Sequence, residues 1–353
     1  MANNIDINVD KIQFTKNDYD ETQLVLNIYG NSVNNFILNS LRKACTDQVP
    51  MYVFHESGIK ISRDSTVFDP TELKMTLPAL PIFNINHDVK YIPQKFYNNM
   101  DEFPENTKNI EYYVKSKNEE YGTIKDVTTN DVLISIDDER IKNEVIYNKK
   151  CPILLCKLRY NDEIELSMKA KLGVGEMSGV FNASHTWFFD LNQEPEEQKI
   201  IDEIIKKNNK EKTSSKKTKK ENRENNFILK IESSGQLHEL ELLKRAIGLI
   251  IIKTKSIKTD IKTINSSGES DDNKISFDFE NEDFTCMGEI NYLLQEDPDV
   301  IFSGASKPNL LEKRINLLLT VKEGTNIYEV LERNIEKSVK HYEHLLEKIN
   351  EII

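Results

Sequence analysis

Closely spaced pairs of cysteines are missing from this sequence. Its four cysteines, Cys45, Cys151, Cys156 and Cys286, include no C-x2-C pair. A tetrahedral zinc site needs four ligands converging on the ion, at about 2.3 Å for sulfur, and nothing in this spacing supplies them. Cys151 and Cys156 lie on CPILLCKL, which reads as a strand and points them to opposite faces. Free thiols in a reducing compartment are the expectation, with no metal and no cofactor.

Long apolar runs are also missing. No stretch approaches the ~20 residues that span a bilayer; the longest, Ile247–Ile252, suits a helix face. The first residues, MANNIDINVDKIQF, carry neither a basic region nor an apolar core of the kind that directs secretion. A soluble intracellular protein with no membrane contact is expected. An excess of positive charge is absent as well. The formal net charge is -12, whereas chains that grip phosphates over their whole surface are usually basic. Broad nucleic-acid binding is disfavoured, and an acidic scaffold that docks on basic partner proteins is favoured.

No nucleophile–base set and no Walker loop occurs. Gly173-Val174-Gly175 lacks the third glycine of a dinucleotide loop and reads as a turn. His341, His344 and Glu347 fall at helical spacing, but on what reads as the polar side of a helix, where solvated side chains are the simpler account. Asp137-Asp138-Glu139 reads as a charged turn.

What is present is enough for two or three domains: 353 residues, of which 38% are hydrophobic and 30% charged. Ile5, Ile7 and Val9 alternate, Ile12 and Phe14 continue after a shift of register, and Leu24, Leu26 and Ile28 alternate again. Two strands joined by a hairpin over 16–21 are predicted. A helix follows, with Ser32 as its cap and Val33, Phe36, Ile37, Leu41, Ala44 and Cys45 as its stripe, ending before Pro50. Residues 50–190 read as an inserted β-rich domain with strands at Ile110–Val114, Val132–Ile136 and Ile153–Arg159, the stretch 88–148 being polar and irregular. Residues 191–226, with the run KKNNKEKTSSKKTKKENREN, have too few apolar side chains to offset ordering entropy. They read as a flexible basic linker, either a solvated insertion or an import signal or phosphate-touching arm. Order resumes with a strand at Phe227 and a helix marked by Leu240, Leu243, Ala246, Ile247, Ile250 and Ile251. After a polar stretch over 263–273, the segment 274–353 reads as strand, short helix from Gly288, strand, strand RINLLLTV and a long helix capped by Asn326.

The same parts therefore occur twice, in 1–49 with 227–260 and in 274–353. Each set carries amphipathic helices to bury, so an α+β chain is predicted in which two units of antiparallel sheet and helices pack helix to helix as an intramolecular pseudo-dimer. Phe36, Leu41, Leu243, Ile247, Leu331, Ile335 and Leu345 are the candidate residues of that interface, each worth roughly 1.5–3 kcal/mol on burial.

The last unit closely resembles the small α-like subunit of eukaryotic and archaeal RNA polymerases. Glu282-Asp283-Phe284-Thr285 and Gly288 match its acidic turn, and Asp297-Pro298, Val300, Phe302, Gly304 and Pro308 match the motif after it. Phe284 stands where the family has histidine. The first half resembles the larger α-like partner, the third-largest eukaryotic subunit, in NSLRKACTDQVPMYVF (39–54), LPALPI (77–82), AKLGVGEMSGVFNASHTWFFD (170–190) and FILKIESSGQLHELELLKRAI (227–247). The resemblance covers most of the chain except roughly 88–150 and 191–226. It implies a non-catalytic subunit of DNA-directed RNA polymerase, the base on which the two largest, catalytic subunits assemble, with DNA met only through the complex. Arg42 and Lys43 then become candidate partner-binding residues, by pairing with carboxylates, and small zinc-binding polymerase subunits become further partners. The cysteine cluster that the larger subunit often carries is absent, so no metal site is transferred. Fusion of both subunits resembles the polymerases of large cytoplasmic DNA viruses, which implies the viral factory or the virion as location, and the nucleus otherwise. The competing readings are a stand-alone nucleic-acid-binding protein using the basic linker, and an enzyme housed in the β-rich domain.

Overall fold

The computed structural model describes residues 5–16, 22–67, 69–85, 87–93, 96–97, 107–192, 225–260, 273–280, 282–309 and 312–352. The basic run and the polar stretch before residue 273 lie almost wholly outside these residues.

The chain opens with β1 (Asn8–Lys16) and β2 (Thr22–Tyr29), paired antiparallel. Their register slips at Ile12, between Lys11 and Gln13, where the alternation in the sequence also breaks. Leu24, Leu26 and Ile28 are fully buried on one face of β2, and Val25 is buried on the other with Ile12. Gly30 then turns the chain into α1 (Asn35–Lys43), which ends in a π-helical turn over Ala44–Gln48. The cap of α1 is Asn34, whose side chain accepts from the Ile37 N–H. Ser32 is not the cap; its hydroxyl accepts from the Asp6 N–H and ties the turn to the first strand.

The inserted module holds β3 (Met51–Asp64), α2 (Pro70–Thr76), β4 (Ile110–Lys117), β5 (Lys125–Thr128), β6 (Val132–Ile136), β7 (Glu139–Ile141), the single turn α3 (Asn143–Ile146), β8 (Leu154–Leu158) and β9 (Glu163–Gly173). Its main sheet runs β3-β9-β4-β6-β7, and β5 pairs with β8. Along β9, Ile164, Leu166, Met168, Ala170 and Leu172 alternate into one apolar core with Tyr112, Val114, Phe54 and Leu158. Part of the stretch expected to be irregular is thus ordered sheet. The strands expected at Ile110–Val114 and Val132–Ile136 are present as β4 and β6, which bury alternate residues, whereas β5 and β7, four and three residues long, are too short to show a period. Asp137 and Asp138 take positive φ (51° and 66°) in the tight turn between β6 and β7.

Next come β10 (Ser184–Asp190), β11 (Asn226–Ser233), α4 (Glu239–Asp260), β12 (Lys274–Glu280), α5 (Phe284–Gln295), β13 (Val300–Ser306), β14 (Arg314–Val321) and α6 (Ile327–Glu351). The expected domain boundary at 190 needs correction. β10 pairs with β11 along its whole length and completes the sheet β1-β2-β11-β10, so it belongs to the first unit. The module stands inserted between the π-helical turn after α1 and β10. Gln236 holds it in place, donating to the Tyr52 and Ile82 carbonyls at 3.0 and 3.2 Å and accepting from the Tyr52 N–H. The second unit is the three-stranded sheet β12-β14-β13 with α5 and α6. Its short helix starts four residues before the expected Gly288, because Asp283 caps it by accepting from the Thr285 N–H.

Gly30 shows how the first strand and helix are fixed together. It sits at φ +135°, and a Cβ there would lie 2.2 Å from the Asp6 carbonyl oxygen, with no flexible side chain to give way. Gly30→Ala is expected to cost about 2 kcal/mol or more, read as a lower urea midpoint with an unchanged slope.

Candidate assembly interface

Each unit lays two helices over one face of an antiparallel sheet, and the helices of one unit pack on those of the other. The α1 helix crosses α5, and α4 lies along α6. A single apolar cluster runs through the contact. It takes Leu26, Leu41, Leu229, Leu243 and Ile247 from the first unit and Phe277, Ile290, Leu317, Leu331, Ile335 and Leu345 from the second. Of the seven interface candidates, Leu41, Leu243, Ile247, Leu331, Ile335 and Leu345 are fully buried in this cluster. Phe36 is not buried: it remains 43% exposed at the rim, lying over Gly288 and beside the Tyr292 ring, 5.7 Å between centroids. Helical periodicity places a residue on a face but not at its centre or edge, and Phe36 falls at the edge.

A polar network crosses the middle of this apolar contact. Glu289 of α5 has no solvent exposure. One of its carboxylate oxygens is 3.0 Å from Nδ1 of His341 on α6, and the other accepts from Nδ2 of Asn34 at 2.8 Å. His341 is therefore not on the polar side of its helix. It lies with Asn334 and Ser338 on a buried stripe beside the apolar one. His344 is the half-buried member and sits 3.5 Å from Glu347. On the α1 side, Ser40 donates to the Thr285 carbonyl.

The two partner-binding candidates separate. Lys43 is engaged inside the chain, with Nζ 2.9 Å from Asp283, and so stitches the end of α1 to the start of α5. Arg42 donates to Asn39 of its own helix and is half-buried. Burial raises the Asp283 carboxyl, but the Lys43 ammonium and the hydrogen bonds from Thr285 outweigh it and hold the group below its usual range. A second charged junction joins all three parts. Glu176, just past β9, accepts from Lys313 at 2.6 Å, Gln48 at 2.8 Å and Tyr97 at 3.3 Å. Burial raises its carboxyl too, and buried Lys253 of α4 together with Lys313 brings it below the usual value. Asp297 accepts from Arg333 and Asn334, which fastens the start of β13 to α6. Outside the core, Lys255 meets Glu343 at 2.8 Å and Lys258 meets Glu332 and Glu336 at 2.9 and 2.6 Å, always lysine on α4 and glutamate on α6.

Among the described residues no cluster of three or more histidine, cysteine or carboxylate side chains could hold a metal. Cys45 and Cys286 are buried in the interface, Cys156 in the module, and Cys151 is exposed. Burial pushes the Cys286 thiol up to about 12, which makes it a poor nucleophile. Among the described residues no helix is long and apolar enough to cross a membrane. The network residues Asn34, Asp283 and Glu289 are not evident from apolar periodicity. Asp283 is visible in the sequence through the acidic-turn motif, whereas Asn34 and Glu289 show only as polar residues inside or bordering an otherwise apolar stripe.

Two outcomes follow from this geometry. Leu345→Ala removes a fully buried side chain shared by both units and should cost about 2–5 kcal/mol in urea unfolding. Asp283 and Glu176 have folded pKa values below their unfolded ones, so their stabilisation is present above about pH 4 and is lost as pH falls through the folded values. In Lys43→Met, burial is left to raise the Asp283 carboxyl, so the urea midpoint at neutral pH should drop and the part of the acid-side fall that Asp283 causes should shrink relative to the parent chain.

The comparisons with known proteins match this two-unit geometry. Residues 31–254 and, separately, 274–348 match the family described as RNA polymerase Rpb3/Rpb11 dimerisation domain. A protein of Acanthamoeba polyphaga mimivirus, described as a putative DNA directed RNA polymerase subunit, is 22% identical over 358 residues, which is 93% of this chain and 91% of the relative. With more than half of its length in the first match and the second unit in the other, the chain belongs to the RNA polymerase Rpb3/Rpb11 dimerisation domain family.

Proposed function

We propose that the chain is the assembly subunit of a viral DNA-directed RNA polymerase, in which two α-like units closed on each other carry the two largest, catalytic subunits. The observation that carries this reading is the continuous apolar core shared by the two units, each matching the dimerisation family separately. The chain contributes no catalytic group of its own. The thiols in the interface are buried and raised, and the one buried histidine–carboxylate pair among the described residues is closed off by Asn34 inside the helix contact. Small zinc-binding polymerase subunits are the further partners of the inserted module, and DNA is reached only through the complex. The mimivirus relative supports a viral factory or virion as the location.

Arg42 is the residue that reaches a large subunit, because Lys43 is already neutralised by Asp283. Gentle purification of a tagged chain from its source should recover two very large polypeptides in equal amounts, with template-dependent RNA synthesis. Arg42→Glu should lower that recovery several-fold while leaving the unfolding free energy from urea titration within about 1 kcal/mol of the parent. Recovery of the chain alone, bound to DNA in moderate salt, would overturn the assembly reading.

A further inference from the structure

The α1 and α5 helices hold equivalent places in the two units, and their caps make the equivalence residue by residue. Asn34 caps α1 and Asp283 caps α5. Ser40 lies six residues past the first cap, as Glu289 lies six past the second, and Lys43 and Tyr292 each lie nine past. The helices run antiparallel: Asn34 meets Glu289 and Lys43 meets Asp283. The contact is thus nearly symmetric in backbone and asymmetric in chemistry.

From this asymmetry we infer that Asn34, Lys43, Asp283 and Glu289 decide which unit pairs with which, so that the second unit accepts the first and rejects a second copy of itself. Laying α5 on another α5 with the same crossing puts Asp283 of one copy where Asn34 stands, against Glu289 of the other, and does so twice. Glu289 then loses the Asn34 donor while remaining without solvent, and Asp283 exchanges the Lys43 ammonium for a tyrosine. A buried carboxylate that faces another carboxylate is far costlier than one that faces an amide donor. The outer rails follow the same rule. Lysines line α4 where glutamates line α6, so pairing α4 with another α4 sets lysine against lysine, which adds a smaller penalty at these exposed positions. The inference rests on this helix geometry and not on the polymerase reading.

Asn34→Asp tests it within the intact chain, because it gives the first unit the residue type that the second unit carries at the equivalent place. Aspartate keeps the cap acceptor toward Ile37, removes the donor toward Glu289 and sets a second carboxylate in its place. The unfolding equilibrium constant from urea titration should rise at least about ten-fold. The double variant Asn34→Asp with Glu289→Gln should recover most of that factor, since the amide introduced on α5 can donate to the carboxylate introduced at the α1 cap. Asn34→Ser, which also caps but brings no charge, should lose clearly less than Asn34→Asp. An Asn34→Asp chain as stable as the parent would overturn the inference. So would a double variant whose losses add, or a serine variant equal to the aspartate one, because the contact would then be an ordinary hydrogen bond with no power to reject.

Discussion

The structure depends on one constraint: neither unit can cover its own apolar surface. In each, two helices lie over one sheet face, and the apolar side chains of both sets join in a single cluster. Leu41, Leu243 and Ile247 on one side and Leu331, Ile335 and Leu345 on the other are fully buried in the one cluster that the two units build together. Burial on that scale is the dominant favourable term available to such a chain. It explains why the interface and the core of the molecule are the same cluster, and why the inserted module, which has a separate core, can be spliced into the first unit without disturbing it. Apart from Met51 and Val53 at the start of β3, which reach the central cluster, the module attaches through polar contacts at Gln236 and Glu176.

Apolar complementarity does not by itself choose between partners. Two leucine-faced slabs fit each other whichever unit supplies them, and area burial is non-directional. The direction comes from the few polar groups set within the slab. Glu289 is surrounded by apolar packing yet meets two specific partners, His341 from its own unit and Asn34 from the other. A buried ion is weak evidence of stability, but it strongly discriminates against neighbours that cannot satisfy it. The same logic places Asp283 at the helix cap, where the backbone N–H of Thr285 and the Lys43 ammonium are both within reach.

Much of this fold is legible in the sequence, because its strands and helices carry clean periods. The strand Val132–Ile136 and the strand RINLLLTV at Arg314–Val321 lie where alternation puts them, and α6 begins at the cap Asn326. The failures share a cause. Ser32 and Asn34 are both competent caps, and only the bond from Asp6 to Ser32 decides between them. His341 reads as solvated because its polarity is visible and its partner Glu289, fifty-two residues away, is not. β10 reads with the module because it follows β9 closely in the chain, whereas its hydrogen bonds go to β11 across residues 193–224. Phe36 looks like core on its own helix and becomes rim only once α5 is laid across it. In each case the local pattern is correct and the deciding contact is non-local.

Joining both units in one chain changes what the interface must accomplish. Two separate subunits lose about 4–15 kcal/mol of translational and rotational freedom on pairing. Covalently linked units meet at an effective concentration in the millimolar range for short linkers, whatever the dilution of the whole. The contact can then hold a desolvated carboxylate at its centre and remain closed, and its closure no longer depends on protein concentration. Linkage also fixes the ratio of the two units at one to one. It does not prevent a unit from meeting its like on a neighbouring chain while both are still folding, when apolar slabs are briefly exposed. The polar groups of the α1–α5 contact act at that stage, because the tether supplies proximity and the asymmetry of Asn34, Lys43, Asp283 and Glu289 supplies identity.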